Sequence, residues 1–393
     1  MRTPLSAAAP TSGDAGDPAA FACGGEIERI AGLPLGDYFR RPPPGLAIEP
    51  VYHGEVFSNT RGGRSTNGAT QYLALLDLGI ELDLEALHSP LPGRFYILGQ
   101  NTHGRGISED FVGDTQVISN IDSFQNITRI TQYWWEFGWL DDAVTIRLGK
   151  QDINTEFLAI ELAADFIQST FGLSPSTAFP TYPDPSMAAV ALVQLTNAWR
   201  LKAGVWDAFA PGGGWGFSGN DSVLVVGELE RTYALASGSL PGVFAVGAVY
   251  ESAGVIEGNP VSSVYEYTVQ FEQLVYRESG GDDGNTQGLG VFAGYYPRFP
   301  GLQIIDESIG DSWVAGLVYT GLLPGRDDDT VGAGYAWTEL FRGGTNEEAV
   351  IELFYKAQCS HRLAIQPDLQ YIVTPSGIYP DALAVGLRFQ VVF

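Results

Sequence analysis

The side chains suited to chemistry fall at every second position of short runs. Glu352, Lys356 and Gln358 alternate with Ile351, Leu353 and Tyr355, while Gln366, Asp368 and Gln370 form a similar row. Glu266, Thr268, Gln270 and Glu272 alternate with Tyr265, Tyr267, Val269 and Phe271. Arg147 and Gly149 oppose Ile146 and Leu148, and Arg388 shares a face with Gly386 and Gln390 against Leu387, Phe389 and Val391. Rows of carboxylate, amide and guanidinium groups offer hydrogen bonds to a dissolved molecule at many weak sites, which suits passage better than tight capture. The candidates for such a lining are Glu136, Arg147, Asp152, Glu161, Asp165, Glu352, Gln366, Asp368, Gln370 and Arg388. The plain alternative for each is a solvated wall residue. Arg147 and Arg388 stand out, since an arginine turned to lipid near mid-membrane would cost ~2 to 4 kcal/mol.

What must position these rows is a sheet whose two faces meet different solvents. The last run, Ala382 to Phe393, places Leu383, Val385, Leu387, Phe389, Val391 and Phe393 on one face and closes on an aromatic terminus. An apolar row can touch lipid while an Arg/Gln row touches water only if the sheet is closed and wet inside. The predicted class is therefore all-β: a transmembrane antiparallel barrel of about 16 strands, counted from period-two runs and Gly/Pro/Asn/Asp breaks. The predicted strands are 50–59, 70–83, 93–101, 130–139, 142–151, 188–196, 199–208, 222–234, 241–251, 263–276, 287–298, 311–322, 328–338, 346–358, 361–372 and 381–392. Connections mostly alternate between short and long, with tight turns at Leu140-Asp141, Asn197-Ala198 and Ser360. Residues 50–393 read as one barrel, and residues 1–49 as a flexible N-terminal segment or periplasmic plug.

The long connection Gln151 to Met187 carries Phe157, Ile160, Ala164, Ile167 and Phe171 at helical spacing, with Glu161, Asp165 and Gln168 on another face. That stripe predicts a short helix on a loop folded into the lumen, apolar side to the wall and acidic ridge to the channel; an external loop helix is the alternative. Tyr133, Trp134, Trp135, Phe137, Trp139, Tyr295, Tyr296, Phe299, Trp337 and Phe341 are expected in interfacial aromatic girdles. On the strand around Arg147, Leu148→Arg should impair assembly and Gly149→Arg, on the lumen side, should be accepted.

Composition removes other classes. The net charge of −25 argues against binding a nucleic-acid backbone and fits an acidic lumen. No G-x-S-x-G or HExxH is present, and the four histidines are dispersed, so no enzyme, cofactor or metal site is expected. "GLGVFA" at Gly288 to Ala293 matches a dinucleotide fingerprint but lies in an alternating strand, and Asp327-Asp328-Asp329 reads as a solvated turn rather than a calcium site. Cys23 and Cys359 have no metal spacing and are expected free, with a bridge as the alternative in an oxidising compartment. Met1 to Pro18 lacks the apolar core of a secretory signal, so a leader is expected outside this sequence or the start codon is misplaced.

Several separated motifs carry a resemblance. They are Tyr52-His53-Gly54-Glu55 with Gly62-Gly63, "LGIELDL" at Leu78 to Leu84, "VGDTQVISNID" at Val112 to Asp122, "RLGKQDINTEF" at Arg147 to Phe157, "ELFYKAQCSHRLAIQPDLQYIVTPSG" at Glu352 to Gly377 and the terminal "GLRFQVVF". In order and spacing the chain resembles the carbohydrate-selective, OprB-type porins from about Tyr52 onward. The resemblance implies a sixteen-stranded barrel of the bacterial outer membrane that carries small carbohydrates by facilitated diffusion through a charged constriction, often as a homotrimer among outer-membrane lipids. It departs at Ile27 to Arg41, which lacks a Gly/Trp-rich opening. The rival readings are a general or cation-preferring porin, favoured by the charge, and a β-rich surface protein or outer-membrane hydrolase.

Overall fold

A computed structural model describes residues 44–175, 179–208, 222–256, 259–261, 263–278, 287–297, 309–340 and 346–393. Sixteen strands close into one antiparallel barrel. They are β1 (Leu46–Arg61), β2 (Thr70–Asp83), β3 (Arg94–Gly104), β4 (Thr128–Trp139), β5 (Val144–Gln151), β6 (Ser186–Gln194), β7 (Trp199–Asp207) and β8 (Val223–Leu235). There follow β9 (Leu240–Glu251), β10 (Val264–Arg277), β11 (Gly288–Tyr296), β12 (Ile309–Thr320), β13 (Thr330–Leu340), β14 (Asn346–Ser360), β15 (Leu363–Val373) and β16 (Ala382–Val392). Each strand pairs with its neighbours in sequence, and β1 closes the ring on β16 through pairs such as Glu55 with Arg388. A two-stranded ribbon, Gly254–Ile256 with Asn259–Val261, decorates the connection between β9 and β10.

Closure is what lets this chain cross a bilayer with strands, because it leaves no unpaired sheet edge in hydrocarbon. No helix among the described residues is long and apolar enough to cross. The alternation follows the sequence: Tyr265, Tyr267, Val385 and Leu387 are exposed outward, while Glu266, Gln270, Glu352 and Arg388 are buried inward. All sixteen predicted segments coincide with these strands, their ends moving by a few residues. The strand with "GLGVFA" is β11. Phe299, Phe341 and Cys23 lie outside the described residues, whereas Cys359 is half-buried near the end of β14.

Both long connections at the end of the barrel opposite the chain terminus, 105–127 and 152–185, turn into its interior. Phe166 stacks on Phe171 at 4.3 Å and meets the wall edge-on at Phe354 (4.9 Å) and Phe292 (5.5 Å). Gly334 of β13 makes room, since a Cβ there would lie 2.6 Å from both Phe166 and Phe171. Phe157 packs edge-on against Trp206 of β7 at 5.4 Å.

The continuous helical stripe over 157–171 is not a helix. The segment forms short 3-10 turns at Ile153–Thr155 and Glu161–Ala163 and a single α-turn, α1 (Ser169–Gly172). The reason is that wall carboxylates take up four of its backbone donors, leaving carbonyls one turn back to serve only the short turns. Leu158 N donates to Glu228 (3.1 Å), Leu162 N to Glu272 (2.7 Å), and Ile167 N and Gln168 N to the two oxygens of Glu352 (2.7 and 3.1 Å). Leu158 itself sits at φ 60°, outside the helical region. The apolar side does rest on the wall, but Gln168 is buried against Gln116 O (2.6 Å) rather than facing the channel.

Two other expectations change. Trp134 and Tyr296 point inward, 5% and 1% exposed, so they are not girdle residues, whereas Trp139 and Tyr295 are exposed outside. Gly149 has φ 136°, and a Cβ on it would lie 2.4 Å from Tyr133 O of the neighbouring strand. An arginine there is strained by its backbone before its side chain reaches the lumen.

Candidate functional site

Two open cavities share one boundary. The first, about 1000 Å³, is lined by turn residues at the terminus end of the barrel, including Asp83, Asp141, Asp142 and Asn197, and by Arg94, Glu136, Arg147, Glu156, Arg200 and Glu230. The second, about 550 Å³, lies deeper and is lined by Tyr96, Trp134, Glu161, Lys202, Glu228, Gln270 and Glu272. Glu81, Arg94, Arg147, Glu156, Arg200 and Glu230 line both, so the spaces meet at a charged neck, which Glu136 completes from the side of the first cavity.

Strand register builds the neck. Arg94 of β3 faces Glu136 of β4, which faces Arg147 of β5; across β6, Arg200 and Lys202 of β7 face Glu230 and Glu228 of β8. Opposite charges directly across neighbouring strands hold each other in place. Arg94 Nε donates to Glu136 (2.8 Å) and its Nη1 to Glu81 (2.9 Å). Arg147 Nε donates to Glu136 (2.8 Å) and its Nη2 to Glu156 (2.9 Å). Both guanidinium groups lie over the Trp134 ring, at 4.4 Å for Arg147 and 5.2 Å for Arg94, and Trp134 in turn stacks on Tyr96 at 4.9 Å. Planar guanidinium groups favour this combination of forked carboxylate pairing and ring stacking. Lys202 Nζ is enclosed by Glu228 (2.7 Å), Glu230 (2.9 Å) and the Glu156 carbonyl (2.8 Å).

Of the ten residues singled out by sequence, Glu136 and Arg147 lie in the neck and Glu161 lines the deeper cavity. The structure places the others in contacts that hold the inward segments. Asp152 accepts from Asn154 N (2.8 Å), Tyr182 N (2.9 Å) and Thr181 Oγ1 (2.9 Å), closing the base of the loop. Asp165 pairs with Lys356 at 2.6 Å, and Gln366 donates to the Asp165 carbonyl at 2.7 Å. Glu352 takes the two loop donors given above, and Gln370 donates to Ile118 O (2.9 Å) and to Asp368 (3.0 Å). Arg388 pairs with Glu55 on β1 and donates to Asn120 Oδ1 (2.6 Å). Glu348 belongs to the same set, accepting from Thr115 N, Gln116 N and Ser376 N.

Sequence reasoning missed Arg94, Glu81, Glu156, Arg200, Lys202, Glu228 and Glu230. The signal was present for four of them: Arg200 with Lys202 and Glu228 with Glu230 are charged pairs two apart, which a strand puts on one face. Glu156 had no such signal, since it comes from an irregular loop. Asp329, read as part of a solvated turn, is instead 3% exposed and anchors that turn through Arg326 Nε (2.7 Å), Gln358 N (2.9 Å) and Tyr355 Oη. Among the described residues no group of His, Cys, Asp and Glu is placed to hold a metal.

Comparison with known proteins agrees with this architecture. Porin B of Pseudomonas aeruginosa is 23% identical over 400 residues, covering 87% of this chain and 86% of that protein. The protein described as putative porin QuiX of Acinetobacter baylyi is 21% identical over 388 residues, covering 86% of this chain and 87% of that protein. Among solved structures, Pseudomonas putida OprB at high pH superposes with a TM-score of 0.78 at 23% identity, covering 89% of this chain and 94% of that one. Its low-pH structure gives 0.60 at 21% identity, with 89% and 93% covered. The carbohydrate-selective porin, OprB family, matches residues 67–393, and with that span of the sixteen-stranded barrel this chain belongs to that family of the bacterial outer membrane.

Proposed function

We propose that the chain passes small neutral carbohydrates by facilitated diffusion, and that the neck of Glu81, Arg94, Glu136, Arg147, Glu156, Arg200 and Glu230 is where they are selected. The observation that carries this is the meeting of two open cavities, about 1000 and 550 Å³, at one ion-paired ring. Carboxylates and guanidinium groups already compensated by each other present hydrogen-bonding edges without a strong net field, which suits hydroxyls that need acceptors and donors at once. Weak exchange with such edges allows release as well as entry. Arg94 and Arg200 are the guanidinium groups most open to the passage, with side chains 33% and 23% exposed against 4% for Arg147. A planar-bilayer recording with glucose titrated into the bath tests the reading: concentration-dependent block of the ion current is expected, and a current indifferent to glucose overturns it.

For assembly, we read one outward patch as the face through which copies form a homotrimer. Tyr52 Oη lies 2.5 Å from Tyr72 Oη and 3.1 Å from His103 Nε2, and Asn101 Nδ2 donates to Thr128 Oγ1 at 2.5 Å, all on the outer side of β1 to β4. Polar groups on a lipid-facing wall are better covered by protein than by acyl chains. Disulfide crosslinking through Thr128→Cys tests this, and an exclusively monomeric product refutes it.

A further inference from the structure

The neck contains one carboxylate that does not belong to the wall. Glu156 sits on the inward segment just past the 3-10 turn Ile153–Thr155, and its two oxygens face two arginines of different strands. Oε1 accepts from Arg147 Nη2 at 2.9 Å, and Oε2 lies 3.8 Å from Arg200 Nη2. Its backbone is fixed separately, through the carbonyl that Lys202 Nζ holds at 2.8 Å and through Asp152, which caps the turn by accepting from Asn154 N. The Arg200 guanidinium makes no hydrogen bond among the described residues and has this long ion pair alone, yet it lines both cavities. Arg147, by contrast, also has Glu136, and Arg94 has both Glu81 and Glu136.

We propose that Glu156 occupies the seat a solute carboxylate would take between Arg147 and Arg200, and that it thereby excludes sugar acids while neutral sugars pass. Two guanidinium groups converging on one carboxylate make the arrangement that recognises a free acid. Here the protein fills it with its own. A sugar acid arriving at the neck meets a seat already held by the like charge of Glu156, whereas a neutral sugar needs only hydrogen bonds. The consequence is a selectivity set by one loop side chain rather than by the −25 charge of the whole chain.

This inference rests on the sugar-channel reading, and liposome swelling with glucose and with gluconate, at matched osmolarity, separates the two. The unaltered protein should pass glucose faster than gluconate; if it passes neither, the channel reading fails and this inference with it. E156Q keeps the backbone anchors and should raise the gluconate-to-glucose rate ratio by about threefold or more, because Arg200 is left to pair with the incoming acid. E81Q removes an equal charge from the same neck without vacating the seat, and should raise the ratio less. E156Q combined with R200Q should lose the gain. Equal ratios in E156Q and E81Q, or a gain that survives R200Q, would overturn the seat and leave only bulk charge. E156D, which keeps the carboxylate, should stay near the unaltered ratio and serves as the folding control; a ratio as high as that of E156Q refutes the proposal.

Discussion

The two sides of the lumen use the same residue types for opposite ends. Along β13 to β16, inward glutamates and arginines are sealed beneath the inward loops: Glu352 is 0% exposed, and Glu348 and Glu352 spend their oxygens on backbone N–H groups. At the terminus end of β2, β3 and β7 the same alternation places Glu81, Arg94 and Arg200 beside open water, where Arg94 pairs with Glu81 and Arg200 with Glu156 on the border of two cavities. What separates the sides is whether a loop lies on them. A buried carboxylate must be compensated, and a chain segment with unpaired amides does it as well as an arginine. A covered wall therefore becomes a mount, and an uncovered wall becomes a passage.

The largest expected break in this comparison is at Arg388. Its removal leaves Glu55, 1% exposed, without its cation, and losing one partner of a buried pair costs ~3 to 5 kcal/mol. Arg388→Gln should lower the urea midpoint markedly while glucose block in the surviving folded fraction stays close to that of the unaltered channel. A stable Arg388→Gln protein with glucose block abolished would instead place Arg388 in the passage.

Next comes Glu352→Gln, which leaves one acceptor for the two loop donors of Ile167 and Gln168. A hydrogen bond to a charged group contributes ~1.5 to 3 kcal/mol, so a loss of that order is expected in denaturant titration. Single-channel conductance should rise as the segment leaves the wall. Glu81→Gln, on the open side, removes a half-exposed pair and should cost no more than ~1 kcal/mol. Gly149→Ala should cost ~1 to 3 kcal/mol through its left-handed backbone, seen as slower barrel assembly on heat-modifiability gels, whereas Gly172→Ala meets nothing within 4 Å and should assemble normally.

Arg200→Gln should do little to stability and instead weaken glucose block by about fivefold, the equivalent of ~1 kcal/mol. Sugar block that is unchanged would move selection away from β7. The last prediction concerns pH. Burial, reinforced by nearby Glu348, pushes the Asp114 carboxyl up to about 8. The folded protein thus keeps a proton that the unfolded chain releases from about pH 4 upward, so the stability it lends falls as pH rises through the window from about 4 to 8. Amide exchange at Thr115 to Ile118 should quicken over that range in the unaltered protein and lose the dependence in Asp114→Asn.

Period-two alternation made the strands, their count and their facing legible, because a residue's side of a strand depends only on parity. Leu148 out and Arg147 in, or Tyr265 out and Glu266 in, follow from that alone, as does the closure that lipid demands of a sheet with one apolar face. Parity says nothing about what lies over an inward residue. Arg388 and Arg200 have the same parity and the same chemistry, yet one is clasped by Glu55 and Asn120 and the other borders open space. That difference comes from the paths of the connections 105–127 and 152–185. Their paths were set by Phe166 and Phe171 finding the hollow at Gly334 and by glutamates accepting amides more than a hundred residues away. Such contacts leave no periodic mark in either segment, which is why the helical stripe misled and Glu156 was missed. The sequence by itself determined a closed barrel with a lipid face and a charged interior; tertiary structure decided which of those charges meet the solute, because only the folded loops choose which part of the wall stays wet.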